Sequence, residues 1–168
     1  MRTIGIDPGT ASMGWGVIDE RAGALQAVAH GVLSTPATAE PAQRLLLLHQ
    51  GLEALLQTYH PDAAAIEELF FARNVTTALA VGQARGVALL TMAQHGVAIY
   101  EYKPREVKQT VAGYGAADKR QMQDMVRLTL NLATRPKPDD AADALAIAIC
   151  HTYTAPMLRR ISEQAGEE

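Results

Sequence analysis

The sequence predicts an α/β fold in which a mixed five-stranded sheet carries helices on both faces. Three observations lead there. Three apolar stretches near the start are joined by turns so short that they must pair antiparallel. Two later apolar runs each follow a long helical stretch, and right-handed crossovers lay such strands parallel to the first. Finally, 168 residues with an apolar fraction of 48% suffice for one domain with its own core.

The elements follow in order. Thr3 to Asp7 is a strand with Ile4 and Ile6 on one face and Gly5 and Asp7 on the other. Pro8-Gly9-Thr10 turns the chain into a second strand, Met13 to Asp19, which alternates Met13, Trp15 and Val17 against Gly14, Gly16 and Ile18. A turn at Arg21 to Ala24 leads to the third strand, Leu25 to Leu33. Pro36 to Pro41 is a linker. Leu45, Leu48, Leu52, Leu55 and Leu56 then recur at helical spacing over 42–59. His60-Pro61-Asp62 stops that helix, and the run Ala63 to Ile66 is a buried strand ending at Glu67. Asn74 is an expected cap for a helix from Val75 to Gln94, interrupted by no charge but Arg85. A helix so apolar is expected to be buried all round, in the core or a subunit interface.

Val97 to Tyr102 is the fifth strand. Pro104 opens a short helix continuing to Val111, since proline suits the first helical position. Asp118 to Asn131 is a further helix, with Met122, Met125, Val126 and Leu130 on its apolar side. Asp139 is the expected cap of the last helix, which runs from about Asp140 to Tyr153. The domain is therefore expected to span 1–155, with 156–168 a flexible tail.

Composition narrows the function classes. No apolar run approaches the roughly 18 residues needed to cross a bilayer. The chain starts directly in a strand pattern, so no signal peptide is expected. Its one cysteine, Cys150, lies in an apolar run and suits a reducing, cytoplasmic setting. The net charge of −3 does not by itself suggest a polyanion binder, but its distribution does. Between Lys103 and Lys137 eight bases face three acids, an asymmetry that points to a polyanionic partner.

The acids carry the chemistry. Asp7 closes the first strand and Glu67 the fourth. If those strands are neighbours, both carboxylates sit at one sheet edge. Glu67 and Glu68 point to opposite faces, so only one of them can join a site there. Asp140 and Asp143 lie three apart in the first turn of the last helix, on one face. Four carboxylates without cysteine or histidine beside them suit hard cations, Mg²⁺ or Mn²⁺. Two such ions could clamp the attacking water and leaving oxygen of a phosphodiester.

Asp7-Pro-Gly-Thr, Ala65-Ile-Glu67, Asn74, Gly82-Gln-Ala-Arg-Gly86, Val107-Lys-Gln-Thr-Val111 and Asp140-Ala-Ala-Asp143-Ala-Leu-Ala together resemble the RuvC family of Holliday junction resolvases. The resemblance covers residues 2 to 152. It implies an RNase H-like fold, a homodimer, and metal-dependent nicking of two strands of like polarity at a four-way DNA junction during recombination and repair. It also implies association with the RuvA–RuvB branch-migration complex. On this resemblance the four metal-binding catalytic acids are Asp7, Glu67, Asp140 and Asp143. The junction-facing aromatic is Phe70, and the basic substrate contacts are Lys108 and Lys119. Arg73, in the same loop as Phe70, is a further candidate phosphate contact. His151, two turns beyond Asp143, reads as a helix-end histidine.

Other readings carry specific costs. An actin-like ATPase shares the opening Asp-x-Gly-Thr but needs two lobes, and this chain has length for one. A binding protein without catalysis would not need four acids. A nuclease for RNA–DNA hybrids would have no use for Phe70 as a wedge.

Overall fold

A computed structural model of the chain describes residues 1–68 and 75–165. Strands β1 (Arg2–Asp7), β2 (Ser12–Arg21) and β3 (Ala24–Ser34) form an antiparallel meander. Helix α1 (Pro41–Tyr59), β4 (Ala63–Glu67), α2 (Val75–Gln94) and β5 (Ala98–Tyr102) follow, with β4 parallel to β1 and β5 parallel to β4. Helices α3 (Pro104–Ala112), α4 (Lys119–Thr129) and α5 (Asp139–Ala165) complete the chain. The sheet order is β3-β2-β1-β4-β5, the mixed arrangement that the element order predicts.

Each face of the sheet has its own core, and strand alternation sorts residues between them. Ile4, Ile6, Met13, Val17 and Ile66 pack with Leu48, Leu52, Ala84, Ala88 and Met92 of α1 and α2. Ile18 and Ala65 face the other way, onto Val107, Val126, Leu145 and Ile149 of α3, α4 and α5. Cys150 is fully buried in this second core, as its apolar run implies. Asp118 caps α4 by accepting from the Gln121 amide at 2.9 Å, while the Gln121 side chain accepts from the Asp118 amide in return.

Helix α5 lies unusually close to the sheet, and glycine permits it. A Cβ on Gly5 would stand 2.0 Å from the carbonyl oxygen of Ala144. A Cβ on Gly14 would stand 2.0 Å from that of Asp140. The first turns of α5 therefore rest on the backbone of β1 and β2.

Two expectations change. The last helix, expected to end near Tyr153, continues through Pro156 as far as Ala165. Pro138, not Asp139, caps α5. The amides of Ala141 and Ala142 reach the Pro138 carbonyl at 3.0 and 3.3 Å, which makes Asp139 the first helical residue and leaves its side chain to other partners. Of the two settings expected for α2, the core or a subunit interface, its own chain provides cover along one face. Ala84, Ala88, Thr91 and Met92 are buried, but Leu79 and Leu90 are 63% and 58% exposed. The expected cap Asn74, with Phe70 and Arg73, lies outside the described residues.

Candidate active site

The β1–β4 register pairs Thr3 with Ala63 and Ile6 with Ile66, which carries Asp7 and Glu67 to the same edge of adjacent parallel strands. On its other side Asp7 is paired with Gly14 of β2. Because Gly14 has no side chain, the backbone of Asp140 settles against it. That contact brings the start of α5 to Asp7. Helical spacing then sets Asp143 one turn on, facing the same way.

The result is a tight group of acids. Asp7, Asp140 and Asp143 can each place one carboxylate oxygen within 4.8 Å of the others. Glu67 lines the same cleft, of about 230 Å³, together with Asp7, Asp143, Lys108 and Lys119. Glu68 does not line it, as the strand alternation requires, and its amide instead donates to the Tyr102 carbonyl at 2.8 Å. Lys108, on α3, and Lys119, at the start of α4, bring positive charge to the rim.

The electrostatics of the group are those of buried, crowded carboxylates. Burial pushes the Asp7 carboxyl up to about 8, and the negative charges of Glu67, Asp143 and Asp140 add to the rise, partly offset by Lys119. Glu67 is raised by burial and by Asp143, against Lys108. Asp143 is raised by burial, against the opposing pull of Lys119. Where buried, crowded carboxyls have a raised hold on their protons, cations would replace those protons. Oxygen donors alone, half-buried and converging, fit a hard divalent cation.

One residue was not legible as part of this site. Ser12 opens β2 on the same strand face as Gly14, and its hydroxyl donates to Asp140 Oδ2 at 2.6 Å. That bond orients the carboxylate, in the way partners of metal ligands commonly do. The signal was its place two residues before Gly14 on the glycine face of the strand. Asp139, by contrast, stands outside the acid group and pairs with Lys119 Nζ at 3.2 Å. This separates the two adjacent aspartates: Asp140 faces the cleft acids and Asp139 faces α4. His151 is buried, with Nδ1 2.7 Å from the Tyr102 hydroxyl and its ring against Tyr100, and belongs to the core rather than to the acid group.

A family model described as crossover junction endodeoxyribonuclease RuvC matches residues 3–151. The crossover junction endodeoxyribonuclease RuvC of Roseiflexus sp. (strain RS-1) is 68% identical over 162 residues, covering 96% of each chain. That of Chloroflexus aggregans is 66% identical over 160 residues, covering 95% of this chain and 98% of that protein. Among solved structures, T. thermophilus RuvC in complex with Holliday junction substrate superposes with a TM-score of 0.88 at 37% identity, covering 94% of this chain and 96% of that one.

Proposed function

Because the chain belongs to the RuvC family of crossover junction endodeoxyribonucleases, we propose that Asp7, Glu67, Asp140 and Asp143 hold two Mg²⁺ or Mn²⁺ ions with which it nicks two like-polarity strands of a four-way junction. The protein is a Holliday junction resolving endonuclease of recombination and repair, dependent on divalent metal. The observation that supports the site assignment is that Asp7 and Asp143, which line one cleft with Glu67, Lys108 and Lys119, also form a close carboxylate group with Asp140.

The residues divide the work by their positions. The four carboxylates gather negative charge where cations are needed. Bound metal would polarise the scissile phosphate and lower the pKa of the attacking water. Lys108 and Lys119 neutralise phosphate at the rim, a contribution blind to sequence. Ser12 fixes the orientation of Asp140. Phe70 and Arg73 follow Glu67 closely in sequence. We assign Phe70 to wedging against bases near the crossover and Arg73 to a phosphate. Association with the RuvA–RuvB complex is assigned on family membership. Among the described residues, no helix is long and apolar enough to cross a membrane.

The test is nicking of a mobile four-way junction compared with a linear duplex of the same sequence, with and without Mg²⁺. Paired, metal-dependent incisions confined to the junction are expected, and equal cutting of the duplex would defeat the proposal. Run on a junction already nicked at the crossover, the same assay checks Phe70. Phe70→Ala should regain activity there, whereas Lys108→Ala should not, because unstacking is eased while a missing phosphate contact stays missing.

Symmetric incision needs two sites related by a two-fold axis. The exposed stripe Leu79, Gly86 and Leu90 runs at helical spacing along α2 and offers an apolar surface for it. We therefore expect a homodimer built on α2. Sedimentation at micromolar concentration without DNA should give twice the chain mass, and Leu90→Glu should halve it. A wild-type monomer would end this assignment.

A further inference from the structure

Asp139 is the acid left over when the four cleft carboxylates are assigned, and its surroundings are specific. Its Oδ1 accepts from Gln123 Nε2 at 2.8 Å, and its Oδ2 lies 3.2 Å from Lys119 Nζ. Lys119 and Gln123 are four apart on α4, so a single carboxylate receives both donors of one helix face. Lys119 Nζ also lies 3.5 Å from Asp143 Oδ2. The ammonium is thus held between two anions with different roles. Asp143 belongs to the acid group able to hold a cation, and Asp139 does not. A cation held by Asp143 would take over that carboxylate's charge and weaken its hold on Lys119. Asp139 would then remain as the lysine's standing partner.

We propose that Asp139 is a positioning residue that keeps Lys119 at the rim of the cleft, aimed at substrate phosphate, instead of letting it fold into the acid cluster. This rests on the assignment of Lys119 to DNA made above. The geometry gives Asp139 no direct part in the chemistry. It is 58% exposed, and it acts through the lysine alone. The arrangement also accounts for the doubled Asp139-Asp140, in which one acid orients a base and its neighbour faces the cleft.

The test separates rate from affinity. Asp139→Ala should lower the single-turnover cleavage rate about fivefold, the scale set by an exposed ion pair. Its junction Kd, measured without divalent metal, should be unchanged or tighter, because an anion near the DNA has been removed. Asp139→Glu, which keeps the anion, should recover most of the rate. In a Lys119→Ala background, Asp139→Ala should change the rate less than about twofold, since the two residues act as one unit. An Asp139→Ala rate within about twofold of wild type, or an undiminished loss on top of Lys119→Ala, would overturn the proposal while leaving the role of Lys119 standing. Normal cleavage by Lys119→Ala would remove the assignment of Lys119 and this inference with it.

Discussion

Asp7→Asn is expected to abolish cleavage and, in metal-free protein above about pH 8, to make the fold more stable. The two effects share one cause. In the folded chain burial and three neighbouring carboxylates keep the Asp7 proton up to about pH 8. In the unfolded chain it leaves near pH 4. Between those values the folded state binds the extra proton, so this group's contribution to stability falls as pH rises through the window. Above it, the folded protein carries an unfavourable buried charge. Asparagine removes that charge at a gain on the order of a few kcal/mol, or about 5–10 °C in Tm.

The gain should fade as pH falls towards about 4, where Asp7 is protonated in the folded and the unfolded chain alike. Adding Mg²⁺ should reverse the order, because a ligand that binds only the intact site stabilises only the wild type. Thermal melts across pH, with and without Mg²⁺, make the comparison. Junction binding should survive, since phosphate contacts supply most of it. Glu67→Gln and Asp143→Asn should behave alike on a smaller scale, while Glu68→Gln, off the cleft, should cleave normally. More than about a tenth of wild-type cleavage by Asp7→Asn would remove that residue from the site.

Gly14→Ala is expected to have the next largest effect. The added methyl would lie 2.0 Å from the Asp140 carbonyl oxygen and 2.5 Å from its carbon. Backbone meets backbone there, so no rotamer change relieves the clash and the first turn of α5 must lift. A cost of about 3 kcal/mol in stability is expected. Cleavage should fall by roughly 100-fold or more, because about 1 Å of misplacement at reacting groups has that effect. Ser12→Ala removes only the hydrogen bond to Asp140 and should be milder. An increase of about tenfold in the Mg²⁺ concentration for half-maximal cleavage, with little change in Tm, is the expected result. Wild-type cleavage by Gly14→Ala would show that Asp140 does not depend on this contact.

The parts of this protein that could be read in advance are those with local causes. Strand alternation assigned Ile4 and Ile6 to one face and Gly5 and Asp7 to the other, and the two cores keep that division. Crossover handedness placed Glu67 beside Asp7, as the parallel register has it. Ser12 escaped because its partner is 128 residues away, and nothing in the spacing of a strand names a partner on a distant helix. Asp139 was read as a cap because aspartate before a helix usually is one. Its side chain is taken instead by Lys119 and Gln123, donors that only the docking of α4 supplies. For α2 the sequence left two settings open, the core or a subunit interface. An apolar helix states how much surface wants cover, not whether its own chain provides it.

The seating of α5 on Gly5 and Gly14 also has a meaning for biosynthesis. Two of the four acids arrive with β1 and β4, and the other two only with α5. No stretch shorter than residues 7–143 contains the set. On the assignment of the four acids proposed above, a nascent or truncated chain that ends before α5 holds only half of the metal-binding group and an uncovered glycine face on β1 and β2. Such a chain is expected not to cut DNA. Competence then waits for a helix from late in the chain to close on the strand that was made first.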